Sequence, residues 1–525
     1  MPCPLRSGVA LLVSVLTAMA ASSAAPPGPM PTATSAAANE PIPDPREILV
    51  PPIATAFPQL PGPEALPVQH ALPDIFRPAD GHRVTTPDQW RQRRAELRRI
   101  LEHYAVGHAP PAPGNVRGRE LKSQLLVGGN VRYRLIHLSF GPNESLGFDL
   151  GVFTPTRGTG PFPAVMVPAG TPPGATPLPR LPNGPTQGKG TNVLLVVGRG
   201  APADASTARL PPSGLEPKSA APKPASTATP GAIPSDAPAT VSAVSAAPAR
   251  RFPGAPADAE QIAADSLALA RGYAYVMFNY NDLGEDTTLR APDGSWSFRT
   301  TRFFPAYPGH DWGLLGAWAW GVSRIVDYLQ TDPAIDASRL IVTGASRTGK
   351  SALVAAAFDE RIALGAPVVT GGGGIGVYRL CGDGRSETLD IMEKKYPNWF
   401  SPHLHAFRGQ VDRLPFDQHW FLALCAPRPF IALEGTTDVI SSPAAVRASV
   451  DAARPAYALS GASDKLAVHY SDHGHTFNAD DWNALLDFAD QHLPTRAAPP
   501  PVGVPSTSIA PAAAPVTPSA ARPGR

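Results

Sequence analysis

Cysteine is almost missing from this chain, with three in 525 residues. That scarcity excludes a disulfide-stapled scaffold, and no CxxC or Cys/His spacing marks a metal centre. An excess of charge of one sign is also missing. Lys and Arg total 45 against 43 Asp and Glu, and they are spread along the chain, so there is no basic footprint for nucleic acid and no charged tail. Apolar runs are short: Val9 to Ala18 cannot span a bilayer. Preceded by Arg6 and followed by small residues through Ala25, that run reads instead as an export signal over residues 1–25, giving a periplasmic or secreted location. Cleavage would remove Cys3 and leave Cys381 and Cys425, either as one disulfide or as two buried thiols.

Proline, by contrast, is abundant, with 65 residues concentrated in tracts rich in Ala, Ser and Thr. Such tracts bury too little apolar surface to offset chain entropy. Residues 26–66 are expected to be a disordered linker, 201–254 a disordered insertion and 495–525 a disordered tail. What remains, 67–494, is one interrupted domain.

Within it, Thr86, Pro87 and Gln89 form a capping box that starts a helix through Tyr104, with Trp90, Leu97, Ile100 and Leu101 on one stripe. Strands are predicted at 131–140, 147–153, 164–167 and 193–197. After the insertion come a helix at 259–270, a strand at 273–280, a helix at 313–329 and a strand at 340–343. Further strands are expected at 365–369, 428–433 and 466–470, with helices at 418–424, 443–453 and 480–492. This alternation implies a mainly parallel sheet with helices on both faces.

The stretch RLIVTGASRTGKSALVAAAFDERI, 339–362, joins a strand to a helix through a glycine turn. By letter, Gly344-x-x-x-x-Gly349-Lys350-Ser351 satisfies a phosphate-loop pattern. The same turn also suits a nucleophilic serine at a strand-to-helix apex. In a parallel sheet, active residues gather at the carboxyl ends of strands. Ser346, Asp438 and His475 all fall there, in the order nucleophile, acid, base. Each has a plainer reading, as a turn residue, a loop acid and a surface histidine. Glu434 competes with Asp438, and His473 with His475.

GASRTGK resembles the Gly-Cys-Ser-Arg-x-Gly-Lys signature of glucuronoyl esterases, carbohydrate esterases that cleave esters between glucuronoxylan and lignin. The likeness extends to RVTTPDQWRQRRAELRRILEHYAVG, to HDWGLLGAWAWGVSRIVDYLQTDPAIDASRL before the motif, and to LPFDQHWFLALCAPRPF and HGHTFNADDWNALLDF after it. It implies a three-layer α/β-hydrolase sandwich, a serine esterase acting on 4-O-methyl-glucuronoyl esters without metal or cofactor, and a monomer. Ser346 would be the nucleophile and His475 the base. Arg347 would serve the oxyanion, and Lys350 and Glu387 the sugar hydroxyls. The phosphate-loop reading then loses ground, because no strand ending in a metal-binding aspartate presents itself as its partner.

Two departures stand out. Where many relatives carry the triad glutamate, this chain has Val369, so the acid falls to Asp438, as in some bacterial relatives. Where relatives have a tryptophan that packs on the glucuronoyl ring, this chain has Ile440. These departures leave room for an acetyl-xylan or other acyl esterase, or for a degenerate polysaccharide-binding member of the family.

Overall fold

The computed structural model describes residues 53, 57–78, 80–181, 258–289, 296–382 and 385–493. The expected signal, most of the linker, the strand at 193–197, the insertion and the tail lie outside the described residues.

Strand and helix alternate as the periodicity requires. The strands are β1 (Arg117–Leu126), β2 (Val131–Phe140), β3 (Leu146–Pro155), β4 (Phe162–Val167), β5 (Ala274–Phe278), β6 (Ile335–Ala345), β7 (Leu364–Val368), β8 (Phe430–Gly435) and β9 (Leu466–Ser471). The helices are α1 (Pro87–Leu101), α2 (Ala259–Asp265), α3 (Leu267–Ala270), α4 (Tyr280–Leu283), α5 (Leu314–Leu329), α6 (Arg347–Phe358), α7 (Leu389–Lys395), α8 (His419–Cys425), α9 (Pro443–Leu459) and α10 (Ala479–His492). They build one sheet of order β1-β2-β3-β5-β4-β6-β7-β8-β9. β4 pairs parallel with β5 and β6, and the run β6-β7-β8-β9 is parallel throughout. β1, β2, β3 and β5 pair antiparallel.

The period of two along each strand sends alternate residues to opposite faces. In β4, Ala164 and Met166 join the core beneath α1, α5, α6, α8 and α9. Val165 and Val167 join the core beneath α2, α3 and α10. The result is the three-layer sandwich, with a mixed sheet at its centre.

Four local outcomes differ from the sequence expectation. β1 was not anticipated: its RGRELKSQLL is almost wholly exposed and carries no alternation, as suits a charged edge strand. The helix expected over 259–270 breaks at Ser266, whose hydroxyl accepts from Leu269 N and restarts the chain as α3. α9 runs past Pro455 to Leu459, where the sequence reading ended it at Ala453. Finally, residues 57–66, assigned to the linker, lie against the domain. Tyr104 Oη donates to Pro61 O at 2.6 Å, and Arg413 Nη1 donates to Leu66 O at 2.6 Å. Carbonyl acceptors, not a periodic apolar face, anchor this segment.

Cys381 and Cys425 are both buried and are not bridged to each other. Burial pushes the Cys425 thiol up to about 11.

Several segments converge on the buried Asp311 carboxylate. His108 Nδ1 lies 2.9 Å from it and His403 Nε2 3.5 Å. The ring of His103 stacks on His403 at 4.0 Å, and Phe57 stacks on His108 at 4.2 Å. Burial, and then the neighbouring His403 and His108, lower the His103 pKa to about 4 against the pull of Asp311. The sign follows from linkage. His103 is neutral in both states above pH ~6.5, and between ~6.5 and ~4 only the unfolded chain takes up its proton, so stability falls with pH across that window. The expected loss is about 2 kcal/mol, allowing for water around the partly exposed His108 and His403. Urea unfolding of wild type and His103→Gln at pH 7 and pH 4.5 checks this: the variant should show the smaller drop, and equal drops would remove His103 as the cause.

Candidate active site

The nucleophile turn is built by exclusion. Ser346 follows β6 and caps α6 with φ 55° and ψ −123°, a conformation that costs a non-glycine residue about 1–3 kcal/mol. The surroundings hold it there. Ser346 N donates to Val368 O at 2.9 Å, and Lys350 N donates to Ser346 O at 2.9 Å. One turn on, a Cβ on Gly349 would stand 2.7 Å from Gly344 O, so a side chain at that point would push helix and strand apart. The Ser346 hydroxyl is thereby lifted to the carboxyl end of the sheet, where it accepts no hydrogen bond from the described residues. Such contacts often form only with substrate.

The acid and base meet. His475 Nδ1 lies 2.8 Å from Asp438 Oδ2, and the other carboxylate oxygen accepts from Ile440 N at 2.9 Å and Ser441 N at 3.3 Å. Burial alone would raise the Asp438 pKa, but the hydrogen bond and charge of His475 and the loop donors outweigh it and hold the group below the usual range. With Nδ1 facing a carboxylate, the imidazole presents Nε2 as its basic nitrogen.

Both competitors are engaged elsewhere. His473 Nδ1 donates to Gly474 O at 2.7 Å, and its Nε2 faces Asp481 at 3.2 Å. Asp481 in turn accepts from Asn478 N at 3.0 Å at the start of α10. His473 therefore ties the β9 loop to a helix end. Glu434 is wholly buried in β8. Burial, and then the charge of Asp438, raise its pKa well above the carboxylate range. That burial disfavours the charge that a catalytic imidazolium needs opposite it.

Arg347 follows the nucleophile directly. Its Nη1 binds Asp286 Oδ2 at 2.5 Å, and the guanidinium lies over the Trp399 ring at 5.1 Å. Trp399 Nε1 donates to the other Asp286 oxygen at 2.9 Å, and Tyr396 stacks on Trp399 at 4.2 Å. Sequence reasoning missed Asp286, Trp399 and Tyr396. The only available signal for Asp286 was its place beyond the carboxyl end of β5.

Lys350 and Glu387 also come together, at 2.7 Å, and the ammonium donates to Thr370 O as well. Lys350 is 1% exposed, so in this state its charge holds the loop after β7, while Glu387 keeps more contact with solvent. A Cβ on Gly372 would stand 1.8 Å from Glu387 O, which explains why this loop runs as consecutive glycines. Glu387 N reaches Ile440 O at 3.3 Å, linking the loop to the one that bears Asp438.

Val369 takes φ 43° and packs into the core on the α10 face, far from any polar role. On the Asp438 loop, Ile440 is half-buried and its neighbour Val439 is 47% exposed. The side chain offered to solvent is thus Val439, one position before the residue singled out from sequence. Among the described residues, no group of three or more His, Cys, Asp or Glu side chains is placed to hold a metal ion.

Comparison with known proteins finds carbohydrate esterases. A family model described as glucuronyl esterase, fungi, matches residues 239–461. A carbohydrate esterase from an unknown prokaryotic organism is 30% identical over 241 residues, covering 43% of this chain and 55% of the relative. A 4-O-methyl-glucuronoyl methylesterase from Podospora anserina is 38% identical over 179 residues, 32% of this chain and 36% of the relative. The chain thus spans about half or less of the length of these relatives. One from Hypocrea jecorina is 25% identical over 443 residues, 83% of this chain and 72% of the relative. Among solved structures, the glucuronoyl esterase from Caldicellulosiruptor kristjansonii is 25% identical with a TM-score of 0.55, covering 83% of this chain and 96% of that one. The enzyme from Solibacter usitatus, at 22% identity, TM-score 0.57 and coverage of 81% and 99%, shares the fold. With a serine at the strand-to-helix turn, a histidine on an aspartate and an arginine beside the serine, the chain is similar to the glucuronoyl esterases in sequence and fold.

Proposed function

We propose that this protein is an exported serine esterase that hydrolyses carbohydrate-linked esters, 4-O-methyl-glucuronoyl esters foremost. The observation that carries the reading is the His475–Asp438 pair at 2.8 Å, set at the same end of the sheet as Ser346. Ser346 Oγ attacks the ester carbonyl while His475 Nε2 takes its proton. Arg347 supplies a backbone N–H and a guanidinium to the oxyanion, and Glu387, held by the buried Lys350, serves the sugar hydroxyls. The intermediate collapses, His475 protonates the leaving alcohol, and an acyl-serine remains. Water, deprotonated by His475, then releases the uronic acid and restores the serine. Export rests on the run Val9 to Ala18; no helix among the described residues is long and apolar enough to cross a membrane.

Benzyl glucuronate, acetylated xylan and a short acyl ester, assayed side by side, test the substrate class. Turnover of benzyl glucuronate with little on the others is expected; activity on acetyl or acyl esters alone would move the protein to the acyl-esterase reading. A fluorophosphonate should label Ser346, whereas a polysaccharide-binding scaffold without catalysis would stay unlabelled.

The exposed Val439 gives a finer expectation. Val439→Trp restores an aromatic face for the sugar ring and should lower KM for benzyl glucuronate by about 2- to 10-fold, the scale of one aromatic contact. Ile440→Trp should not, since that side chain is half-buried. The reverse outcome would return the platform to position 440.

A further inference from the structure

A cavity of about 350 Å³ opens away from the active site, between α1, α5 and the last turns of α6. α6 spans 12 residues, about 18 Å at 1.5 Å per residue, and the cavity touches its Phe358 end while Ser346 caps its start. The apolar wall comes from the proline segment at Pro110 and Pro111 and from Ala319 and Ala355. Trp320 Nε1 donates to Pro110 O at 2.8 Å, which fixes that segment in place.

The polar wall carries guanidinium groups whose protein acceptors are already committed. Glu102 is held by Arg98 at 2.9 Å, and Asp359 by Arg361 at 2.8 Å. Arg324 is 2% exposed, gives Nε to Asp327 at 2.6 Å and lies over Trp320 at 4.4 Å. Its Nη1 has no hydrogen-bond partner among the described residues. A buried donor left unmet costs about 1–3 kcal/mol, more when charged, and both carboxylates on the wall are occupied. A water or a ligand oxygen can meet this donor, and a charged acceptor makes the stronger bond.

We propose that this cavity is a second binding site, for a small aromatic carboxylate, with its ring between the proline segment and the alanines of α5 and α6 and its carboxylate on Arg324. The volume falls within the range of small-molecule sites, apolar with few polar groups.

Cinnamate and its neutral counterpart cinnamyl alcohol are suitable probes. By titration calorimetry on the full-length protein, cinnamate should bind saturably with a Kd of about 1 mM or tighter, as befits a ligand of this size. Cinnamyl alcohol should bind at least about tenfold more weakly, for want of the charged bond. Arg324→Met should erase that difference. Ala112→Trp, at an exposed position on the cavity rim, should weaken cinnamate binding by about tenfold or more through occupying the space, with ester hydrolysis and thermal midpoint unchanged. No saturable cinnamate binding, equal binding of acid and alcohol to wild type, or undiminished binding in Ala112→Trp would each overturn the proposal. The last two arms do not require Arg324→Met to fold.

Discussion

Asp438→Asn is expected to lower kcat by about 10⁴ while leaving the fold intact, the scale of a triad acid removed without change of shape. The tautomer of His475 sets the size of the effect. Asp438 Oδ2 stands 2.8 Å from His475 Nδ1, so that nitrogen carries the proton and Nε2 is free to accept from Ser346. An asparagine can still accept from Ile440 N and Ser441 N, which preserves the loop. It can do so only with its oxygen, which turns its NH₂ toward His475 Nδ1. The imidazole then keeps its proton on Nε2, the wrong side for a base, and the imidazolium formed on attack faces no charge. Glu434→Gln is the control. That carboxyl is buried away from His475, and burial raises its pKa, so an isosteric amide should change kcat by no more than a few-fold. A near-normal rate in Asp438→Asn, or a loss in Glu434→Gln as deep as the one expected for Asp438→Asn, would reassign the acid. Circular dichroism and the thermal midpoint of both variants separate this outcome from unfolding.

That control shows where sequence reasoning stops. Glu434 and Asp438 lie four residues apart around the end of one strand, and nothing in their spacing says which turns toward the histidine. Burial decides it: Glu434 is still within β8 and points into the packed interior, while Asp438 sits past the strand where the loop folds back. Features written in local chemistry were legible. The capping box at Thr86 and Gln89 closes as read, and Ser346, Asp438 and His475 lie beyond strand ends because a parallel sheet puts its loops there. Features made by distant partners were not. Asp286 and Trp399 are 113 positions apart, and no pattern joins them. β1 was invisible for a related reason, since an exposed edge strand is set by its pairing with β2 and not by its own apolar residues.

The Arg347 clamp leads to the second large effect. A charged donor beside the nucleophile stabilises only the charge that develops on the carbonyl oxygen, and it does so best when it need not move. Here the guanidinium is already fixed by Asp286 at 2.5 Å and by the face of Trp399. Arg347→Lys is the informative substitution. Its ammonium can still neutralise Asp286, whose side chain is 2% exposed, and so avoids the roughly 3–5 kcal/mol that an uncompensated buried charge costs. It cannot reproduce the planar fork that binds the carboxylate with one edge and leaves the other for substrate. We expect kcat to fall by about 10²-fold, with KM changed by no more than a few-fold, because the lost bond belongs to the transition state and not to the bound ester. Arg347→Gln should fall further in kcat and also lose stability, as Asp286 loses its ion pair with Arg347. Stopped-flow acylation with benzyl glucuronate measures the step directly. If Arg347→Lys acylated at the wild-type rate, the guanidinium would be a structural partner of Asp286 alone, and the oxyanion would depend on backbone N–H groups.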